Sequence, residues 1–135
     1  MINSRFFSAD ELKCKCGNKL CPRFPVTTNE IIEFLKLIDY LRDMAGPLLV
    51  NSYFRCPIHP EYRKDSAHSI GLAIDIRSPT KTPGELYVLG EGRFFNGMGI
   101  DETRGFVHLD KKPGRVARWK YKPEGGEEYL FVRRV

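Results

Sequence analysis

Two histidines and one aspartate stand out by type and spacing. His68 and Asp75 lie seven residues apart in Ser66-Ala-His68-Ser-Ile-Gly71-Leu-Ala-Ile-Asp75-Ile, and His108 follows in Phe106-Val-His108-Leu-Asp110. Asp75 falls in an otherwise apolar run, where an ionised carboxylate is costly unless a cation or hydrogen-bond donors meet it. Two imidazoles and a carboxylate suit Zn²⁺, and three protein ligands leave a fourth tetrahedral position for water, which separates catalytic from closed structural zinc sites. The sum of +2 and −1 keeps such a centre electrophilic enough to bring the pKa of bound water toward ~7. By residue type alone, a salt-bridged Asp75 beside two unrelated histidines is an equally good account.

A second group is sulfur. Cys14, Cys16, Cys21 and Cys56 could close a structural zinc site, form disulfides or remain free thiols. The Cys-x-Cys-x4-Cys spacing departs from the usual Cys-x-x-Cys knuckle. As zinc ligands, with Cys56 as the fourth, they would staple a cysteine-rich knuckle, residues 1–26, onto the rest of the chain. The third histidine, His59, lies between prolines and reads as an exposed loop residue.

The elements that must carry these residues follow from caps and periodicity. Ser8-x-x-Glu11 is a capping box for a short first turn. Thr27-x-x-Glu30 opens the clearest helix, with Ile31, Phe34, Leu35, Ile38, Leu41 and Ala45 on one buried face and Gly46-Pro47 as its stop. Leu48 to Val50 reads as a buried strand, followed by a proline-punctuated loop from Asn51 to about Ser69. Loops of that length usually carry function. Leu72 to Arg77 alternates as a strand, with Asp75 on the face opposite Ile74 and Ile76. Thr82-Pro83-Gly84-Glu85 starts another helix, whose far end Gly90 and Gly92 blur. Gly105 to Asp110 and Tyr129 to Val132 complete the strands. Helices and strands do not alternate regularly, so the expected fold class is α+β: one small domain over residues 1–135, a largely antiparallel sheet, flanking helices and a zinc cleft.

A chain of 135 residues and 15.6 kDa is the size of one domain. With 41% hydrophobic residues it can bury a core, which excludes wholesale disorder. No apolar run approaches the ~18 residues of a membrane span, and the start Met1-Ile2-Asn3-Ser4-Arg5-Phe6-Phe7 lacks the layout of a secretory signal, so synthesis in the cytoplasm without a signal peptide is expected. That favours thiols over disulfides. The net charge of +5 suits polyanions such as nucleic acid or an anionic cell wall. The basic residues Lys111, Lys112, Arg115, Arg118, Lys120, Lys122, Arg133 and Arg134 read as solvated surface, and no nucleic-acid partner is expected because such binding leaves Asp75 unexplained.

Taken together, Ser66-x-His68-x-x-Gly71-x-Ala73-x-Asp75-Ile76 followed by Phe106-Val107-His108-x-Asp110 resembles the zinc peptidases of the D-alanyl-D-alanine carboxypeptidase and L-alanyl-D-glutamate endopeptidase superfamily. Phe7-Ser8-Ala-Asp-Glu11-Leu12-Lys-Cys14-Lys-Cys16-Gly17 is similar to the opening of its short phage- and prophage-type members. The resemblance implies zinc held by His68, Asp75 and His108, and an arginine that grips substrate. In Ser52-Tyr53-Phe54-Arg55 the family's glycine is replaced, so only Arg55 carries over. Ser66 resembles a substrate-contacting serine, with loop capping as its other reading. Relatives place a carboxylate or histidine two or three residues before the last ligand, but Phe106 and Gly105 stand there. Asp110, on the same strand face as His108, is the substitute general base, or else the group that orients a ligand imidazole. Asp101 and Glu102 are reserve bases. Trp119 reads as a core or cleft-wall aromatic.

The expected function is hydrolysis of peptide bonds in peptidoglycan by a zinc metallopeptidase, endolysin-like or a D,D-carboxypeptidase, acting on the cell wall after release, with phage origin implied by the resemblance. A non-catalytic zinc-containing wall-binding or structural module is the alternative. The expected cofactors are one catalytic Zn²⁺ and, if the cysteines hold metal, a second structural one. The expected partner is a peptidoglycan peptide, and the expected state is a monomer.

Overall fold

A computed structural model describes residues 4–135, so the first three residues of the N-terminal segment lie outside the described residues. The element order is α1 (Ala9–Leu12), α2 (Asn29–Ala45), β1 (Leu49–Ser52), β2 (Ala73–Arg77), α3 (Pro83–Glu91), β3 (Gly97–Asp101), β4 (Phe106–Asp110), β5 (Arg115–Tyr121) and β6 (Glu127–Arg134), with a 3₁₀ turn at Ala67–Ile70. The six strands form one sheet in the order β1-β2-β4-β3-β5-β6, antiparallel except for the β3/β5 pair. The fold class is α+β, as expected. No helix among the described residues is long and apolar enough to cross a membrane.

Local sequence accounts for most of these limits. Ser8 and Glu11 close a capping box on α1, and Thr82 and Glu85 close one on α3, where Pro83 takes a first-turn position that needs no amide donor. The N-cap of α2 is Thr28, one residue later than the Thr27 box predicts: its hydroxyl accepts from Ile31 N. All six expected apolar positions of α2 are buried. Gly46, at φ 82°, ends the helix in a backbone conformation that L side chains rarely adopt. Gly90 does not end α3. It is buried, and a Cβ there would crowd Met98 and Leu109, so the glycine lets α3 settle onto the sheet.

Two strands, β3 and β5, escape the sequence reading. The sheet's alternation then divides the chemistry from the scaffold. Ile74, Ile76, Met98, Ile100, Val107 and Leu109 belong to the core under the helices. Their neighbours in sequence, Ala73, Asp75, Gly97, Gly99, His108 and Asp110, fall on the opposite face.

Candidate metal centre

The register brings Asp75 on β2 directly opposite His108 on β4. His68 reaches the same place from the 3₁₀ turn, whose start is capped by the Ser66 hydroxyl accepting from His68 N at 3.2 Å and whose end is Gly71 at φ 75°. A side chain on Gly71 would strike Pro25 and the Tyr53 hydroxyl. Tyr53 clamps this turn twice: its hydroxyl donates to Gly71 O at 2.8 Å, and its carbonyl accepts from His68 Nδ1 at 2.7 Å. That second bond makes Nδ1 the donor to Tyr53 O and turns Nε2 toward Asp75.

His68 Nε2 is buried without a hydrogen-bond partner among the described residues. It lies 3.4 Å from Asp75 Oδ2. One ligand atom from each of His68, Asp75 and His108 can be chosen so that all lie within 4.8 Å of one another. A metal ion would give the buried Nε2 the partner it lacks, and N, N and O donors grouped in this way fit Zn²⁺. Burial opposes ionisation of Asp75, but His68 and His108 outweigh it and hold the carboxyl far below the ordinary range. The Arg55 guanidinium lies 3.2 Å from Asp75 Oδ2, and its Nε donates to Ser52 Oγ.

His108 lies between two carboxylates, with Nδ1 2.9 Å from Asp75 Oδ1 and Nε2 2.7 Å from Asp110 Oδ2. Burial opposes charge on the ring, but the bonds to Asp110 and Asp75 prevail and raise its pKa to about 9. Metal-free, the ring is therefore an imidazolium at neutral pH. A metal taking Nδ1 must displace its proton, so zinc affinity is expected to rise about tenfold per pH unit below a pH of about 9 and level off above it. Zinc titrations of the metal-free chain across that range check this; a pH-independent affinity would rule out His108 Nδ1 as a ligand.

Asp110 is wholly buried and saturated. Oδ2 accepts from His108 Nε2 and from Arg115 Nη2 at 2.9 Å, and Oδ1 accepts from Arg115 Nη1 at 2.8 Å and Lys112 N at 2.9 Å. Four bonds use the four lone-pair directions a carboxylate offers. Arg115 is thus a fixed partner of Asp110, and Arg118 ties β5 to α3 through Glu91, so neither is the solvated surface residue the sequence suggests.

The site opens into a cleft of about 540 Å³ lined by Arg55, Ser66 and all three candidate ligands, and by Trp119, Tyr121 and Glu127 from β5 and β6. Trp119 packs its ring 5.1 Å from that of His108, and its buried Nε1 lacks an acceptor among the described residues. Gly97 and Gly99 make room on β3, since a Cβ at the first would overlap the Asp110 carboxylate and at the second the Trp119 indole. Burial, then the Asp75 carboxylate, push the Tyr121 hydroxyl's pKa up, so it remains a donor at neutral pH. Asp101 pairs with Arg104, Glu102 is exposed in the following turn, and neither lines the cleft. His59 is half-buried, its Nδ1 accepting from Glu61 N.

Sequence reasoning missed Tyr53, Arg115, Gly97, Gly99 and Tyr121. A carbonyl that orients a histidine leaves no mark on residue type, whereas Gly-x-Gly before a chemistry-bearing strand could have signalled a close approach. The four cysteines form a separate cluster, also with all ligand atoms within 4.8 Å of one another.

No curated protein and no solved structure gives a match. A family model described as Peptidase M15 matches residues 5–110, the span holding Arg55, His68, Asp75, His108 and Asp110, and the chain belongs to that family.

Proposed function

We propose that the chain is a zinc metallopeptidase that hydrolyses peptide bonds in the stem peptides or cross-links of bacterial peptidoglycan, as an endopeptidase or D,D-carboxypeptidase. The observation that carries this reading is the orphaned His68 Nε2 facing Asp75 beside His108 at the floor of an open cleft, in a chain of the Peptidase M15 family. Zinc bound there supplies Lewis acidity toward the scissile carbonyl and acidifies water.

The chain's own residues do the rest. Arg55 stands at the cleft beside Asp75 and uses only Nε and Nη2 on protein partners among the described residues, which leaves Nη1 to hold a substrate carboxylate or the carbonyl oxygen as it gains charge. Tyr121 and the Trp119 indole are further donors to the substrate backbone. Ser66 caps the His68 turn and, at the cleft wall, presents its hydroxyl to substrate. Asp110 holds the His108 ring in place and moves no proton, because its oxygens are already filled. Glu61 and Glu127, which also line the cleft and form no ion pair among the described residues, are the remaining candidates for proton transfer. A net charge of +5 suits an anionic wall, and release during phage lysis is the route the resemblance implies.

One observation favours a second reading: with Asp110 saturated, the expected general base is missing, as in a non-catalytic wall-binding module. Incubation with purified peptidoglycan separates the two. Release of free amines that stops with chelator and returns with zinc is expected; binding without release would establish the module instead.

Asp110→Asn tests the assignment of Asp110. Loss of its charge should weaken zinc binding about ten- to a hundredfold, with turnover recovering at saturating zinc. Unchanged affinity with turnover abolished would return Asp110 to the role of base.

A further inference from the structure

We propose that Cys14, Cys16, Cys21 and Cys56 hold a second metal ion, a zinc ion in a closed tetrathiolate site, and that this ion anchors the chain segment carrying Arg55. All four cysteines are free, and their sulfurs lie within 4.8 Å of one another. Sulfurs arranged tetrahedrally at ~2.3 Å from zinc stand roughly 3.8 Å apart. The Cys16 and Cys56 sulfurs are 3.6 Å apart, near that value and well beyond the ~2.05 Å of a disulfide bond.

The backbone is arranged for thiolates. Asn18 N donates to Cys16 Sγ at 3.5 Å, Arg23 N to Cys21 Sγ at 3.2 Å and Cys56 N to Cys14 Sγ at 3.4 Å. Three amides on three sulfurs of one cluster are poorly used on neutral thiols, which accept weakly, and well used on anions. Gly17 at φ 72° and Arg23 at φ 71° supply the turns that bring Cys16 and Cys21 round, and Cys14 N donates to Arg23 O at 2.8 Å to close the knuckle. Residues 13–28 contain no helix or strand, and Cys14, Cys16, Cys21 and Phe24 are the side chains through which this segment packs on the core. Binding is acid–base chemistry: four thiols give up four protons to solvent, and Zn²⁺ with four thiolates carries −2. Lys15, Lys19 and Arg23 are interleaved with the cysteines in sequence, while Lys13 pairs with Asp10. Sulfur fills every position, so the site is structural and the other centre alone stays open to substrate.

Cys56 follows Arg55, whose N–H donates to His68 O at 3.2 Å. Fixing Cys56 therefore fixes the start of the loop from which Arg55 reaches Asp75; the consequence for turnover rests on the peptidase reading, whereas the metal count does not. Metal content and thiolate-to-Co²⁺ charge-transfer absorption are to be measured on the full chain, alongside Cys16→Ser, Cys21→Ser and His68→Ala. Two zinc ions per chain are expected in the wild type and one in each cysteine variant. The Co²⁺ band should vanish in the cysteine variants and persist in His68→Ala. Where the cysteine variants fold, turnover should fall about tenfold with the other zinc retained. Should they fail to fold, the wild-type count and band still decide the matter. One zinc and no thiolate band in the wild type, or a non-reduced, denatured chain with fewer than four titratable thiols, would overturn the proposal. Failure of the peptidase reading would instead appear as two zinc ions and no amine release.

Discussion

Asp75→Ala is expected to yield a chain that keeps no zinc at the cleft, releases no amines from peptidoglycan and unfolds more readily than the parent. The carboxylate is the only anionic member of the candidate ligand set, and it is what His68, His108 and Arg55 converge on. Without it a metal would find two imidazoles, one already donating from Nε2 to Asp110, and a nearby guanidinium that repels it. The fold suffers too, because removing one partner of a buried charged cluster leaves the others uncompensated, at a cost of roughly 3 kcal/mol in the metal-free protein. Metal analysis after gel filtration and urea unfolding of chelated samples read the two effects separately. Asp75→Asn keeps the side chain's volume and much of its hydrogen bonding, so it should fold better than the alanine variant and still lose zinc. A stoichiometric zinc ion retained by Asp75→Asn would remove Asp75 from the centre and leave it as a structural counter-ion.

What the sequence discloses about this site is the part that resides in residue type. An aspartate in an apolar strand demands compensation wherever the strand lies, and His68, His108 and Arg55 are the residues that meet it. The apolar face of α2 is visible for the same reason, since burial of Ile31, Phe34, Leu35 and Ile38 follows from periodicity alone. The concealed part depends on contacts between strands. Gly97 and Gly99 give β3 weak strand character, and they are glycines because Asp110 and Trp119 lie over them, so the feature that builds the cleft also hides the strand. Arg115 reads as surface charge until β5 is placed beside β3, where its guanidinium reaches Asp110. The choice between base and orienter for Asp110 turns on which donors fill its lone pairs, and those come from β4, β5 and the turn between them.

Arg55→Ala should leave the zinc content intact and lower turnover by about a hundred- to a thousandfold, the range seen when one donor to a developing negative charge is removed. Arg55 is not among the candidate ligands, and a divalent cation beside Asp75 compensates the carboxylate more strongly than the guanidinium it would lose. The metal-free variant, by contrast, should be somewhat less stable than the parent, because the half-buried arginine then provides part of that compensation. Arg55→Lys sharpens the distinction. A lysine keeps the charge but not the planar fork of donors, so if Arg55 serves as counter-ion alone, the lysine variant should restore turnover along with stability. If its role is to hold a planar carboxylate or the carbonyl oxygen of the substrate, Arg55→Lys should recover stability while turnover remains low. Full turnover in Arg55→Ala, or zinc lost in step with it, would show that the guanidinium supports the centre without touching substrate.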